Sequence, residues 1–279
     1  MSINETRAWK IYMMKNGELV SGTSHGRLRF WNILERKVRL NLTAHAGSIY
    51  SFTTLPNGYL ATAASDFKIN IWNVSNAQKI TTLNGHTGWV FIILILKNGD
   101  LASSSADSTI RIWNTSSYQN KMTLTGHTDR VFAITVLANG DLVSGSAEKT
   151  IKIWDYTNGI VKMTLNHTSY IRSLCVLKNE DLVSGDQYGT IRIWNSVNGM
   201  SIMSVKGHTN LISSFVVLPN GDLISASHDY TIKIWDIRIG LLKLTLTGHT
   251  LGVNYIALFP NGDLASSGLD DTIRIWNQF

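Results

Sequence analysis

Cysteine is almost absent from the sequence, since only Cys175 occurs among its 279 residues. A single cysteine excludes an intramolecular disulfide and is typical of a reducing compartment. We interpret Cys175 as a small core residue on a strand rather than as a nucleophile. Pro/Ser-rich linkers and charge runs are also absent, and the composition stays even from end to end. We therefore expect one architecture over residues 1–279 rather than several modules.

Long hydrophobic runs are missing as well. The run WVFIILIL, residues 89–96, contains eight apolar residues, whereas a membrane-spanning helix needs about 20. The first ten residues, MSINETRAWK, lack the basic segment and apolar core of a secretory signal. We expect no membrane association and an intracellular, cytoplasmic location, with the nucleus still open.

Internal periodicity identifies the repeating unit of the chain. Seven segments align without gaps, among them NGDLASSSADSTIRIWN, which begins at residue 98. Their tryptophans are spaced by 41, 41, 41, 40, 41 and 41 residues: Trp31, Trp72, Trp113, Trp154, Trp194, Trp235 and Trp276. Chance does not produce such regularity, so the chain is a tandem array of seven units.

Each unit has the signals of β-structure. The Asn-Gly pair predicts a turn, because both residues tolerate positive φ. The runs DLASSS and TIRIW are rich in strand-forming residues and are separated by a tight polar turn around Asp107. A further apolar run on either side gives four short strands in about 41 residues, the spacing of a propeller blade. We predict an all-β, seven-bladed β-propeller with four-stranded antiparallel blades.

The sequence resembles the WD-repeat β-propeller family over essentially its whole length. The family's Gly-His signature is matched by Gly85-His86, Gly126-His127, Gly207-His208 and Gly248-His249. Its Trp-Asp signature is matched by Trp154-Asp155 and Trp235-Asp236. Asparagine replaces the final aspartate elsewhere, as in Trp113-Asn114. The resemblance implies a single propeller domain over residues 1–279.

The resemblance also places the run WVFIILIL on the innermost strand of a blade. Neighbouring blades cover that strand on both faces, and such a strand is expected to be continuously apolar. We therefore predict that the run is core, apart from Trp89 at its beginning.

Most units contain a histidine, a hydroxyl group and an acid, which suggests a hydrolase. A catalytic triad also needs an oxyanion hole in a single cleft, and a constellation repeated in several units supplies neither. The resemblance implies instead structural hydrogen-bond chains from the turn acid to the buried indole. The complete sets are His45, Thr62, Asp66 and Trp72; His86, Ser103, Asp107 and Trp113; His208, Ser225, Asp229 and Trp235; and His249, Ser266, Asp270 and Trp276.

Three units depart from this pattern. Glu148 stands at the acid position of the fourth unit, beside His127, and Tyr188 stands there in the fifth. In the first unit Asn4 takes the histidine position and His25 the acid position. We expect blades one and five to be the least rigid.

No signal of catalysis or of a bound group remains once the repeat is accounted for. No Cys/His/carboxylate spacing resembles a zinc site, and neither a P-loop nor a GxGxxG motif after a strand occurs. We expect no catalytic residue, no cofactor and no metal.

The net charge of +6 and the pI near 9.4 suggest nucleic acid as a partner. However, six basic residues occupy one equivalent strand position and are spread evenly around the ring: Arg29, Arg111, Lys152, Arg192, Lys233 and Arg274. Their aliphatic stems can cover the blade. We therefore favour a protein or peptide partner over nucleic acid.

The function that we predict is a non-catalytic scaffold that presents a rigid ring face to protein partners. Three alternatives stay open. They are a small-molecule or enzymatic site in the central channel, a nucleic-acid-binding propeller, and the propeller of a larger ubiquitin-pathway adaptor.

Two positions in each repeat are expected to point toward a partner, on the face that family members most often use. They are the third residue after the histidine and the residue before the turn acid. Aromatic residues and arginine dominate binding hot spots, and an acidic or aromatic-bearing peptide suits the residues found here. The predicted partner-binding residues are Arg7, Trp89, Arg130, Tyr170, Gln187 and His228.

The end of the chain predicts an incomplete blade. Aligning Asn4 with the histidines places an outer strand before Met1, and the chain stops just after the third strand of the last unit. We expect the last blade to have three strands and an open edge at DTIRIWNQF, through which two chains could associate.

Overall fold

The computed structural model describes residues 2–4, 8–14, 18–32 and 37–277. Over these ranges the chain forms 28 strands in seven four-stranded antiparallel sheets, and no helix. The sheets follow one another around a ring, since the innermost strands of successive sheets pack together and the first sheet packs on the last. The prediction of an all-β, seven-bladed propeller is confirmed.

The strands fall into four classes by their distance from the central channel. The innermost strands are β2 (Ala8–Met13), β6 (Ile49–Thr54), β10 (Val90–Ile95), β14 (Val131–Val136), β18 (Ile171–Val176), β22 (Ile212–Val217) and β26 (Val253–Leu258). The second strands are β3 (Leu19–Thr23), β7 (Leu60–Ala64), β11 (Leu101–Ser105), β15 (Leu142–Ser146), β19 (Leu182–Asp186), β23 (Leu223–Ser227) and β27 (Leu264–Gly268). The third strands are β4 (Arg27–Asn32), β8 (Ile69–Asn73), β12 (Ile110–Trp113), β16 (Thr150–Asp155), β20 (Thr190–Trp194), β24 (Ile232–Asp236) and β28 (Thr272–Trp276). The outer strands are β5 (Lys37–Thr43), β9 (Gln78–Leu83), β13 (Asn120–Leu124), β17 (Ile160–Asn166), β21 (Ser201–Lys206), β25 (Leu241–Leu246) and β1 (Ser2–Asn4).

Side-chain size follows the burial of each strand. Every residue of the second strands is buried, because blades cover both faces. These strands consist largely of small residues, as in LASSS and LVSGS, which let neighbouring blades approach closely. The outer strands lie at the periphery and are mostly exposed. The core is therefore a set of inter-blade layers.

The signature tryptophans fill the space between blades. Trp154 is fully buried and packs in one cluster with Leu96, Ala102 and Ile112 of the preceding blade. Gly126 lies against this indole at a φ of 145°, and a Cβ there would meet Cη2 of Trp154 at 3.3 Å. Glycine precedes His127 in this blade because both the backbone angle and the indole leave no room for a side chain.

Ring closure corrects one prediction. The last repeat contributes only three strands, β26, β27 and β28, as expected. The predicted open edge is wrong, because β1 pairs with β28 from Ser2 opposite Arg274 to Asn4 opposite Thr272. The basis for self-association through β28 is thereby removed.

The alignment that placed this outer strand before Met1 fails for a local reason. Asn4 precedes the first paired residue of β2, Ala8, by four positions. In the next repeat, Thr43 of the outer strand precedes Ile49 by six. The connection from the outer strand to the innermost strand is therefore two residues shorter before β2 than before β6. Residues 2–4, which the alignment had placed after the outer strand, form this outer strand instead.

Deleting residues 1–4 tests this closure. The loss of β1 leaves backbone groups of β28 unpaired, so we expect the amides of Thr272–Trp276 to exchange with solvent about tenfold faster or more, the effect of one or two lost hydrogen bonds. Hydrogen exchange followed by mass spectrometry measures this. Removing residues 278 and 279 deletes no described pair and is the control; equal exchange in both truncated chains would contradict the closure.

Candidate functional site

The hydrogen-bond chain of the third blade has a geometry that fits a structural role. His86 Nδ1 lies 2.8 Å from an Asp107 carboxylate oxygen, and His86 Nε2 lies 2.8 Å from Ser103 Oγ. The indole of Trp113 donates to the same Oγ at 2.8 Å. Ser103 is fully buried, so its oxygen meets neither solvent nor a substrate. The chain satisfies a buried indole and leaves no free nucleophile.

Equivalent chains occur in four other blades. The histidine Nε2 atoms lie 2.6–2.8 Å from the hydroxyl oxygens in the pairs His45–Thr62, His127–Ser144, His208–Ser225 and His249–Ser266. The tryptophans donate to these hydroxyls at 2.7–3.0 Å. In the fourth blade Glu148 takes the place of the aspartate, and its Oε1 lies 2.7 Å from His127 Nδ1. Five blades therefore carry a continuous chain.

The electrostatics of these chains favour the ionised form of each acid and, in the fourth blade, the neutral form of the histidine, as the pKa directions of these groups indicate. Burial raises the pKa of Glu148, but hydrogen bonds from Thr128 and Thr150 outweigh it and bring that pKa to about 2. Burial lowers the pKa of His127 despite the neighbouring carboxylate. The neutral imidazole then donates through Nδ1 to the acid and accepts at Nε2 from the serine hydroxyl.

The fifth blade breaks the chain at the residue where Tyr188 replaces the acid. His167 Nδ1 accepts hydrogen bonds from the backbone amides of Thr168 and Ser169 at 3.0 and 3.3 Å. Its buried Nε2 has no hydrogen-bond partner among the described residues. Asp186 instead binds the turn, accepting the amide of Tyr188 at 2.9 Å. Burial, followed by the positive charge of Arg192, lowers the pKa of His167 to about 4.

In the first blade the chain is shortened. Trp31 donates to Ser21 Oγ at 2.8 Å, and Thr23 Oγ1 accepts the turn amides of His25 and Arg27. His25 is exposed and lies 3.0 Å from Ser24 Oγ rather than in a chain. The lower rigidity expected for blades one and five stays a prediction with a structural reason.

Two adjacent serines on β11 offer a matched test of the chain. Both Ser103 and Ser104 are fully buried, but the hydroxyl of Ser104 has no partner in the described part of the chain. We expect Ser103→Ala to lower the free energy of unfolding by about 1–3 kcal/mol, because two buried groups lose their partner. Ser104→Ala removes an unsatisfied hydroxyl and should cost nothing or stabilise the protein. Equal denaturation midpoints for the two variants would contradict the structural role.

The pKa of His167 predicts an acid-sensitive fifth blade. A histidine whose pKa falls from its ordinary 6.5 to about 4 on folding contributes stability that is complete above pH 6.5. That contribution is lost as the pH falls from 6.5 toward 4. We expect His167→Gln to flatten the decrease in unfolding free energy between pH 7 and 4.5, measured by urea denaturation. The exposed histidine variant His25→Gln is the control, and parallel curves for His167→Gln and the parent chain would refute the assignment.

The channel mouth is shaped by a β-bulge that recurs in all seven blades. The register of each innermost strand shifts at its second residue, as between Val90 and Ile92. A bulge leaves one residue unpaired and re-aims its side chain. The seven bulged residues are Trp9, Tyr50, Phe91, Phe132, Arg172, Ser213 and Asn254. Blades one to four thus present aromatic side chains, and blades five to seven present polar ones.

The bulge corrects the interpretation of WVFIILIL as core beyond Trp89. Val90 and Ile93 are buried as predicted, but Phe91 is only half-buried and lines the channel mouth. The prediction assumed that neighbouring blades cover every residue of this strand, whereas the bulge turns the side chain of Phe91 toward the channel.

All seven bulged residues line one cavity of about 380 Å³ at the channel mouth. The rim residues Trp89, Arg130, Leu211 and His228 line it as well. Phe91 connects the aromatic side chains, with ring centroids 5.6 Å from Tyr50 and 5.0 Å from Phe132. Trp89 is 46% exposed and packs against Tyr50 and Phe91. The result is a stiff aromatic wall that is open to solvent.

The structure brings together part of the predicted partner site. The two predicted positions of a blade are joined directly, since the amide of His228 donates to the carbonyl of Leu211 and that of Gln187 to Tyr170, both at 3.0 Å. Trp89, Arg130 and His228 line the cavity, whereas Tyr170, which is 42% exposed, and Gln187 do not. Arg7 lies outside the described residues.

The cavity lining missed by sequence reasoning has a simple signal. The bulged residue is the fifth after the repeat histidine, as Phe91 follows His86. Comparing that position around the ring gives four consecutive aromatic residues. The position was overlooked because Phe91 and Phe132 lie within apolar runs that predict burial.

The charged side chains that line the cavity are all basic among the described residues. Lys10, Arg130 and Arg172 line it, and no described aspartate or glutamate does. Arg172 lies over the ring of Phe132 at 4.1 Å, and Lys10 lies over that of Tyr255 at 4.3 Å. Burial, together with the charge of Arg130, lowers the pKa of Arg172.

Two further features of the described chain bear on function. No group of three or more His, Cys, Asp or Glu residues within the described ranges could hold a metal ion. None of the described segments is a helix long and apolar enough to cross a membrane.

The chain belongs to the WD-repeat family. The family model, described as "WD domain, G-beta repeat", matches residues 36–73, 77–114, 118–155, 159–195, 199–236 and 240–277. Strands β2 to β4 lie outside these matches, yet they form the first blade together with β5, which lies inside the first match. Propellers of this family generally act as non-catalytic scaffolds for protein interaction.

Among solved structures, the chain resembles the WD40 β-propeller domain of Doa1 at 23% identity and a TM-score of 0.88. The match covers 100% of this chain and 96% of that one. Identity this low establishes the fold alone, and 1680 chains of solved structures match, so the fold does not specify a function. The search of curated proteins gives no match.

Proposed function

We propose that the protein is a non-catalytic scaffold that binds a peptide segment of a partner protein at the channel mouth. The observation that supports this most directly is the cavity where an aromatic wall meets Arg130, Arg172 and Lys10. Large stiff rings and arginines supply most of the energy of protein–peptide contacts. A cavity of about 380 Å³ accommodates anchoring side chains rather than a folded domain.

The allocation of polar groups supports binding over catalysis. The repeated histidines, hydroxyls and acids are engaged with one another and with the tryptophans in five blades. The cavity itself is lined by rings, amides and cations, and its one histidine, His228, is hydrogen-bonded to Asn254 at 3.2 Å. Neither an activated nucleophile nor an oxyanion hole is formed by these groups.

The distribution of basic residues favours a protein partner over nucleic acid. Arg111, Arg192 and Lys233 lie 6.0, 5.3 and 6.0 Å from the rings of the tryptophans in their own strands. These cations are spread around the ring beside the blades, whereas binding along a phosphate backbone needs a continuous basic surface.

Affinity purification with variants of the full chain tests the proposal. Trp89→Ala combined with Arg130→Ala removes two exposed anchors, so we expect recovery of specific partners to fall about tenfold or more. Thermal stability should be nearly unchanged, because both side chains are exposed. Tyr170→Ala, outside the cavity, should have a smaller effect.

The control removes apolar contact area from the opposite face. Val197→Ala with Ile239→Ala changes side chains that are 84% and 68% exposed, in the loops between the third and outer strands. Full partner recovery by the Trp89/Arg130 variant, or equal loss in the control, would overturn the proposal.

A further inference from the structure

We infer that Arg172 is the anchor for a side-chain carboxylate, from an aspartate or glutamate of the bound segment that lies next to an aromatic residue. This inference rests on the proposed function and names the chemistry of the same site. Arg172 is not one of the partner-binding residues predicted from the sequence. It lies at the bulge of β18, two residues after Tyr170.

Arg172 is a cation that the described protein leaves without an anion. The side chain is half-buried against the face of Phe132 at 4.1 Å. Within the described ranges its guanidinium forms neither an ion pair nor a hydrogen bond. Stacking fixes the plane of the guanidinium and leaves its in-plane N–H donors available, which is the arrangement that binds a carboxylate through two hydrogen bonds.

The neighbouring polar groups of the bulge ring are already engaged. Ser213 Oγ lies 3.1 and 2.6 Å from the carbonyl oxygens of Ala226 and Val253, and its single proton is donated within this pair of acceptors. Asn254 uses both ends of its amide, donating to the Ala8 carbonyl at 3.2 Å and accepting from His228. Of these three polar residues of the bulge ring, Arg172 is therefore the one whose donors form no hydrogen bond within the described ranges; the indole N–H of Trp9, on the aromatic side, has no partner there either.

Charge complementarity selects the sign of the ligand. Arg130 lies close enough to lower the pKa of Arg172, and Lys10 adds a third positive charge to the lining. Lys10 is buried, and its described polar contact is a long one, 3.5 Å from Ser51 Oγ. Like charges in a partly desolvated cavity repel, and a bound anion relieves this repulsion.

The aromatic wall raises a competing possibility. Rings on adjacent blades can enclose a cation through their π faces, and Trp9, Tyr50 and Phe91 supply such rings. Arg172 already covers Phe132, and a second cation would face Lys10 and Arg130 as well. The rings are therefore better placed to stack on an aromatic side chain next to the carboxylate.

Three small probes of nearly equal size separate these chemistries. Phenylacetate carries the carboxylate, phenylacetamide is its neutral counterpart, and benzyltrimethylammonium is cationic. Each is titrated into the full chain while the Nε–Hε resonances of arginine are followed by NMR. We expect phenylacetate to shift the Arg172 resonance and to bind about tenfold more tightly than phenylacetamide, the gain of one charge-assisted contact.

Arg172→Gln keeps a long polar side chain without the charge and should abolish the preference for phenylacetate. Lys97→Gln removes an exposed cation at the other end of the strands and should preserve it. Equal affinity for phenylacetate and phenylacetamide, tighter binding of benzyltrimethylammonium, or an unmoved Arg172 resonance would each overturn the assignment.

Partner recovery separates this inference from the proposed function. If Arg172→Gln retains partners that the Trp89/Arg130 variant loses, the channel mouth is the binding site but Arg172 is not its anchor. If all three substitutions leave recovery unchanged, the proposed function itself fails. Loss of partners on Arg172→Gln, with full recovery for Lys97→Gln, supports both.

Discussion

The fold depends on hydrogen bonding the indole of a tryptophan that is buried between blades. An indole without a partner costs free energy in a dry interior, and a serine or threonine ten residues earlier accepts its N–H in every blade for which the bond is described. That hydroxyl must itself be placed, and the histidine and turn acid do so in five blades. One buried donor thus accounts for three further residue types of the same blade.

This arrangement also explains why the residue at the bulged position of the innermost strand differs from blade to blade. The chains lie between the second and third strands and the preceding loop, and the bulged residues of the innermost strands take no part in them. The seven bulges give the seven positions the same backbone geometry. Their side chains then differ without loss of the indole hydrogen bonds, and the aromatic residues of blades one to four face the polar residues of blades five to seven across the cavity.

The sequence predicted the features that the spacing of residue types marks and missed those that this spacing does not mark. Blade number and the partners of Trp113 follow from spacing, because each blade solves the same packing problem with the same residues. The closing strand Ser2–Asn4 is three residues long, and its pairing with β28 is the most distant in the chain, so no local pattern marks it. The bulge at Phe91 was hidden because periodicity assumes an unbroken ladder. Arg172 was overlooked for the same reason, and Tyr170, predicted from its type, lies outside the cavity.

The central claim is that the polar repeat holds the ring together and the channel mouth binds the partner. Photocrosslinking tests this most directly, with p-benzoylphenylalanine placed at Trp89 in one chain and at Val197, on the opposite face, in another. We expect crosslinks to a partner protein from position 89, which are lost on Arg172→Gln, and none from position 197. Crosslinks to the same partner from position 197 alone would contradict it.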